Sequence, residues 1–313
     1  MNTDFLWVEK YRPHTIADTI LPEQLKQTFQ TFVDQQNIPN LLLAGSAGVG
    51  KTTVARAMLE QLGCDYMIIN GSLEGRQIDT LRNEIANFAS SVSLTGGRKY
   101  LILDEADYLN PQSVQPALRN FMEDLSSNCG FILTCNYKNK IIEPLKSRCS
   151  LVDFRLRKED RPEIAKQFMI RIMKILDAEG VKYEKPVVIE VIKQYFPDWR
   201  RVLNELQRYS ASGAIDTGIL ANRADNSVEK IIPMFKERNF TALRKWVGEN
   251  PDIQPEEIFT KLYQVGNEHI VKEDLPTFII ILAEYQHKAA FVANQEVNLA
   301  ACFAQILGSV AFK

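Results

Sequence analysis

Eight residues, Gly45-Ser46-Ala47-Gly48-Val49-Gly50-Lys51-Thr52, constrain this chain more than any other stretch. They follow the apolar run Leu41-Leu42-Leu43-Ala44 and lead into Thr53–Leu62, whose spacing predicts a helix. A strand, a glycine loop of the form G-x-x-x-x-G-K-[ST] and a helix together make a phosphate cradle. The glycines let the backbone curl until successive N–H groups point at phosphate oxygens. The helix N-terminus adds its positive dipole end. Lys51 then supplies a point charge to the β- and γ-phosphates, and Thr52 a hydroxyl to Mg²⁺.

The loop needs a parallel sheet around it, and the first half of the chain provides the pattern for one. Short apolar runs recur at Tyr66-Met67-Ile68-Ile69-Asn70, Tyr100-Leu101-Ile102-Leu103 and Gly130-Phe131-Ile132-Leu133-Thr134, with a further one at Val152-Asp153-Phe154. Runs this short, bounded by Gly, Asn, Asp or Thr, suit strands buried on both faces. Helical patterns at Ile78–Ser91 and Ser113–Leu125 lie between them. Alternating strand and helix means a parallel sheet with crossover helices.

Beyond about residue 155 the strand signals stop. Arg161–Glu179 carries Ile164, Phe168, Ile172 and Ile175 on one stripe, a second helix runs from Pro186 to Tyr195, and a third spans Arg200–Ala211. Ser212–Asn226 reads as a break, and the remainder is again helical. The expected division is a nucleotide domain over 1–154, a helical domain over 155–226 and a second helical domain over 227–313. A terminal helix is expected within Ala289–Phe312, apolar enough that it must be buried in its own bundle or against other subunits.

Composition removes other classes. No apolar run approaches the ~20 residues of a membrane span; none is longer than Phe278–Ala283. The start, Met1-Asn2-Thr3-Asp4-Phe5, lacks the basic-then-apolar order of a secretory signal, so a cytoplasmic location is expected. With 37 Lys+Arg against 39 Asp+Glu, the chain is no basic nucleic-acid coat, although a local basic surface remains open. Five cysteines without a C-x-x-C pair and three histidines argue against a zinc site; the thiols are read as reduced.

Two carboxylates end the third strand, in Leu103-Asp104-Glu105-Ala106-Asp107. Asp104 is placed to hold the Mg²⁺ shell and Glu105 to polarise a water towards the γ-phosphate. Adjacent residues divide these tasks because one side chain must face the metal and the next the water. Asp-Glu-Ala-Asp also occurs in RNA helicases, but those need a second motor domain that the helical remainder does not provide. Asn136, ending the next strand, is a candidate for orienting water or the γ-phosphate. Arg148 and Arg200 are by themselves ordinary surface charges, although Arg200 could reach back to a nucleotide.

The order Trp7-Val8-Glu9-Lys10-Tyr11-Arg12-Pro13, the phosphate loop, Asp104–Asp107, Thr134-x-Asn136, Ser147-Arg148-Cys149 and Asp198-x-Arg200 resembles the AAA+ ATPase subunits of sliding-clamp loaders. The likeness spans roughly residues 7–210. Within that family the chain looks most like the large subunit of tailed-bacteriophage loaders, with archaeal and eukaryotic replication factor C small subunits close behind. It departs by Ser46-Ala47 where many relatives have two prolines, and by Pro197 where cellular relatives often have glycine. The resemblance implies an α/β AAA+ domain with a parallel sheet, a small helical lid domain and an all-helical collar domain.

It also implies roles. Val8, Glu9, Lys10, Tyr11 and Ile20 would line the adenine pocket of ATP, and Gly48, Val49, Gly50, Lys51, Thr52 and Thr53 would hold phosphates and Mg²⁺. Asn136 would be the first sensor, Arg200 the second, and Arg148 an arginine finger acting on a neighbouring subunit's ATP. Arg76, Arg82 and Asn83 match the region that faces DNA, while Gln115 and Arg119 could couple DNA to Glu105. Implied partners are a sliding clamp, primer–template DNA, further copies of the chain in a ring or spiral, and a smaller, non-identical loader subunit. If the chain is phage-encoded, its location would be the host cytoplasm. Two other readings stay open: another AAA+ motor, such as a branch-migration or protein-remodelling ATPase, and a collar subunit that binds nucleotide without turning it over.

Overall fold

Each apolar run of the first half forms a strand. β1 is Leu41–Ala44, β2 Tyr66–Asn70, β3 Lys99–Asp104, β4 Cys129–Cys135 and β5 Ser150–Asp153. They pair in parallel in the order β2-β3-β4-β1-β5. The computed structural model describes residues 5–72, 78–91, 97–211, 213–216, 228–250 and 255–313, with the backbone alone for residues 78–82 and 257.

Alternate strand residues serve opposite faces, which is why the central strands are apolar throughout. Leu42, Leu101, Leu103, Phe131 and Leu133 pack on one face; Leu41, Leu43, Ile102 and Ile132 pack on the other. The crossover helices are α3 (Lys51–Leu62), α4 (Ile78–Ser90), α5 (Val114–Asp124) and α6 (Glu143–Lys146), preceded by α1 (Trp7–Lys10) and α2 (Glu23–Asp34). Parallel pairing brings all strand C-termini to one edge. The register sets Ala44 beside Cys135 and Leu103 beside Leu133, so Asp104 and Thr134 emerge as neighbours there.

Gln115, buried at 1% exposure, ties this edge together: its Nε2 donates to the Leu109 and Lys140 carbonyls, and its Oε1 accepts from the Ile142 N–H. A buried amide is tolerated because those three bonds satisfy it.

Three further helices, α7 (Arg161–Ala178), α8 (Lys185–Tyr195) and α9 (Trp199–Ser210), complete a unit that spans Met1–Asp216. The stripe expected on α7 is buried, with Ile164, Phe168, Ile172 and Ile175 at 4% exposure or less. A two-residue parallel pair, β6 (Lys182–Tyr183) with β7 (Ala214–Ile215), was not expected in this region. It is too short to leave a periodic trace in the sequence. The expected boundary at 226/227 lies outside the described residues.

The second unit, Thr217–Lys313, is a helical bundle of α10 (Val228–Lys236), α11 (Phe240–Glu249), α12 (Pro255–His269), α13 (Leu275–Ala289) and α14 (Gln295–Ser309). Phe303 at its centre meets Phe235 edge-on at 5.2 Å. The apolar stretch from Ala289 is not one helix. α13 ends there, and α14 starts six residues later because the Asn294 side chain accepts the Val297 N–H at 3.1 Å, an N-cap. α14 buries Leu299, Cys302, Phe303 and Ile306 within its own bundle, whereas Phe291 and Val297 are exposed.

Gly130 faces the ring of Tyr100, and a Cβ there would lie 2.4 Å from Tyr100 Cε1. The ring is 2% exposed and has no room to swing. Gly130→Val should therefore destabilise the first unit by about 1–3 kcal/mol, the usual cost of overpacking a filled core. The measurement is the urea midpoint, expected to fall with unchanged slope.

Candidate nucleotide site

The phosphate loop leaves β1 at the C-terminal edge of the sheet. Gly48 and Gly50 take φ values of +72° and +94°, which glycine alone adopts without strain. Gly50 caps α3, so the first-turn N–H groups of that helix face out of the loop.

Lys51 is only 8% exposed. Its ammonium is satisfied by three oxygens: the carbonyls of Gly45 at 2.8 Å and Ser46 at 2.7 Å, and Asn136 Oδ1 at 2.9 Å. Burial pushes its pKa below the usual lysine value, and the nearby Arg200 acts in the same direction; Asp104 and Asp107 oppose both.

Asp104 Oδ1 accepts two hydroxyls, Thr52 Oγ1 and Thr134 Oγ1, each at 2.6 Å. Thr134 Oγ1 in turn accepts the Glu105 N–H at 3.1 Å. One buried threonine on β4 thus fixes both acids. Glu105 has left-handed backbone angles, φ 55° and ψ 45°, an uncommon conformation for a residue with a Cβ. Asp107, 5% exposed, receives the N–H groups of Asn136 at 3.2 Å and Tyr137 at 3.1 Å. It sets the loop that carries Asn136.

The lid reaches the phosphate loop directly. The Trp199 N–H donates to the Gly48 carbonyl at 3.1 Å, while Asp198 Oδ1 caps α9 by accepting the Arg201 N–H at 3.0 Å. A Cβ on Gly48 would fall 1.8 Å from that same Asp198 oxygen. Arg200 lines the resulting cleft, an open space of about 920 Å³. Its apolar walls are Val8, Tyr11 and Ile20 from the N-terminal segment, with Phe168, Ile175 and Leu203 from the lid. Apolar walls beside a phosphate loop and arginines suit a nucleotide.

The side chains of Glu9 and Lys10 go elsewhere: Glu9 pairs with Arg12, and Lys10 bonds Glu179 at 2.8 Å, beside the Tyr11 hydroxyl on the same oxygen at 2.6 Å. Arg171, on α7, was not singled out by sequence reasoning. It donates to the carbonyls of Asp18 at 2.5 Å and Tyr11 at 2.8 Å and lines the cleft, and burial lowers its pKa. Arg148 lies away from the cleft lining, bonded to Glu123 and to the Pro144 carbonyl. Asn83 is exposed on α4; Arg76 and the side chain of Arg82 lie outside the described residues.

Thr52 and Asp104 converge as hydroxyl and carboxylate, hard oxygen donors that fit Mg²⁺. All five cysteines are free, and burial raises Cys135 to about 11 and Cys149 to about 12, so neither is a thiolate nucleophile. Among the described residues no cluster could hold a metal through His, Cys, Asp and Glu alone, and no helix is long and apolar enough to cross a membrane.

Comparison with known proteins gives the following. Residues 41–158 match the model of the ATPase family associated with various cellular activities, and residues 160–221 match that of the AAA+ ATPase lid domain of the sliding-clamp-loader large subunit. The sliding-clamp-loader large subunit of Enterobacteria phage T4 is 34% identical over 316 residues, covering 97% of this chain and 96% of the relative. The replication factor C small subunit of Archaeoglobus fulgidus is 31% identical over 315 residues, covering 96% and 97%. The Holliday junction branch migration motor RuvB of Thermotoga maritima superimposes with a TM-score of 0.51 at 20% identity, over 68% of this chain and 71% of that one, which is a likeness of fold.

Gly48→Ala should weaken ATP binding about tenfold or more, since a left-handed alanine alone costs roughly 1–2 kcal/mol and the Asp198 cap must also move. Titration with a fluorescent ATP analogue measures it; wild-type affinity would mean that the lid contact at Gly48 is dispensable.

Proposed function

The chain belongs to the sliding-clamp-loader family of AAA+ ATPases, and from that membership we propose that it loads a ring-shaped processivity clamp onto primer–template DNA, in an assembly where each catalytic centre is shared between two copies. The observation that carries the shared centre is the division of its parts. Lys51, Thr52 and the lid's Arg200 line the cleft, Asn136 and Asp104 are hydrogen-bonded to the first two, and Glu105 follows Asp104 in the chain, whereas Arg148 is outside that lining and bonded to Glu123 and the Pro144 carbonyl.

In this reading the triphosphate lies along the loop N–H groups, and the γ-phosphate replaces part of the oxygen set around Lys51. Because Lys51 already bonds Asn136, the same displacement is felt at the sensor. Thr52 and Asp104 would hold Mg²⁺, which would neutralise charge on the phosphates when bound. Glu105, its backbone kinked into the left-handed region, accepts the proton of the attacking water. Arg200 from the lid steadies the phosphate on one side. Arg148 of the adjoining copy completes the charge stabilisation on the other. Val8, Tyr11, Ile20 and the lid hold the base. DNA contact falls to the α4 region and is chiefly to phosphate, hence sequence-independent and salt-sensitive. The other members of the assembly are further copies of this chain and a smaller loader subunit.

Primed DNA plus clamp should stimulate ATP hydrolysis by the assembly well above the isolated chain. Glu105→Gln should cut stimulated turnover by about 10²–10⁴-fold with ATP binding kept. Arg148→Ala should cost on the order of 10³-fold. Stimulation by branched DNA without clamp would favour the branch-migration motor instead, and unchanged turnover in Glu105→Gln would favour a subunit that binds nucleotide without hydrolysing it.

A further inference from the structure

Glu123, on α5 and half exposed, gathers two guanidinium groups onto one oxygen. Arg148 Nε donates to Glu123 Oε1 at 2.8 Å, and its Nη2 donates to the same atom. Arg119 Nε lies 3.8 Å from that oxygen. The remaining terminal nitrogen of Arg148, Nη1, donates to the Pro144 carbonyl at 2.8 Å.

A surface arginine ordinarily samples many rotamers, and fixing it costs entropy at the moment it binds. Here that ordering is done in advance. Of the five N–H donors of a guanidinium, three are committed, and one N–H remains on each terminal nitrogen. The carboxylate takes the Nε–Nη2 edge and leaves the tip of the group able to grip phosphate oxygens. Two arginines against one carboxylate leave the cluster with a net positive charge, so it still attracts an anion.

We propose that Glu123 is a positioning residue, which presents Arg148 in a fixed orientation to the triphosphate held by the adjoining copy. This rests on the reading of Arg148 given above. It assigns the site a component that lies on α5, apart from the turn after α6 that carries the arginine, and touches no nucleotide.

The test uses the complete assembly with clamp and primed DNA and reads kcat and KM for ATP in Glu123→Ala, Glu123→Gln and Arg148→Ala. Glu123→Ala should lower kcat by about 10- to 100-fold, the cost of a misplaced catalytic group, with KM unchanged because the bound chain's own cleft is intact. Glu123→Gln, which keeps an acceptor at the same reach, should recover part of kcat; it carries the test if Glu123→Ala fails to assemble. The double variant with Arg148→Ala should be no slower than Arg148→Ala alone. A slow Arg148→Ala alongside Glu123 variants at or above the wild-type rate would overturn this proposal and leave the role of Arg148 standing. A fully active Arg148→Ala would remove the role of Arg148 itself, and this inference with it.

Discussion

A buried ammonium has to be fully satisfied or it will not stay charged, and that requirement organises the centre of this molecule. Lys51 meets it with two loop carbonyls and the side chain of Asn136, the residue that follows β4. The carbonyls exist in that orientation only because the loop curls, and Asn136 is there only because β4 lies beside β1 in parallel. Asp107 then holds Asn136 by its backbone. The phosphate loop, the sheet register and Asn136 are thus one arrangement around a single charge.

The acids depend on the same register. Thr134 sits next to Asp104 because β3 and β4 pair in parallel, and its hydroxyl passes a hydrogen bond from the Glu105 backbone to the Asp104 carboxylate. The pair therefore behaves as a unit: Asp104 is fixed by two hydroxyls, and Glu105 is fixed by the kink that follows. A strand that is otherwise apolar carries this threonine at 1% exposure, which only a polar partner across the ladder makes acceptable.

What the sequence made legible was local. The phosphate loop, the acid pair and the five strands each announce themselves within a few residues, and the helix stripe of α7 does so within eighteen. Thr134, Asp107 and Arg171 were given no role, because each acts on a partner at least 29 residues away and the pairing is decided by register and lid packing. Glu9 and Lys10 were expected at the base pocket with Val8 and Tyr11; in the helical turn that they share, successive side chains point to different sides, and only Val8 and Tyr11 line the cleft. The start of α14 was missed for the opposite reason: Asn294 is a local signal, hidden inside an apolar stretch that reads as continuous.

The lid is fastened at both ends of the cleft. At the phosphate loop, α9 gives its Trp199 N–H to Gly48 and seats Asp198 against it; at the end lined by Val8 and Tyr11, Arg171 of α7 and Glu179 just past that helix grip the segment from Lys10 to Asp18. A body clamped at two separated points has little freedom to tilt about either one alone. On the reading proposed above, a nucleotide in the cleft would load both fastenings at once, and the lid would answer as one body.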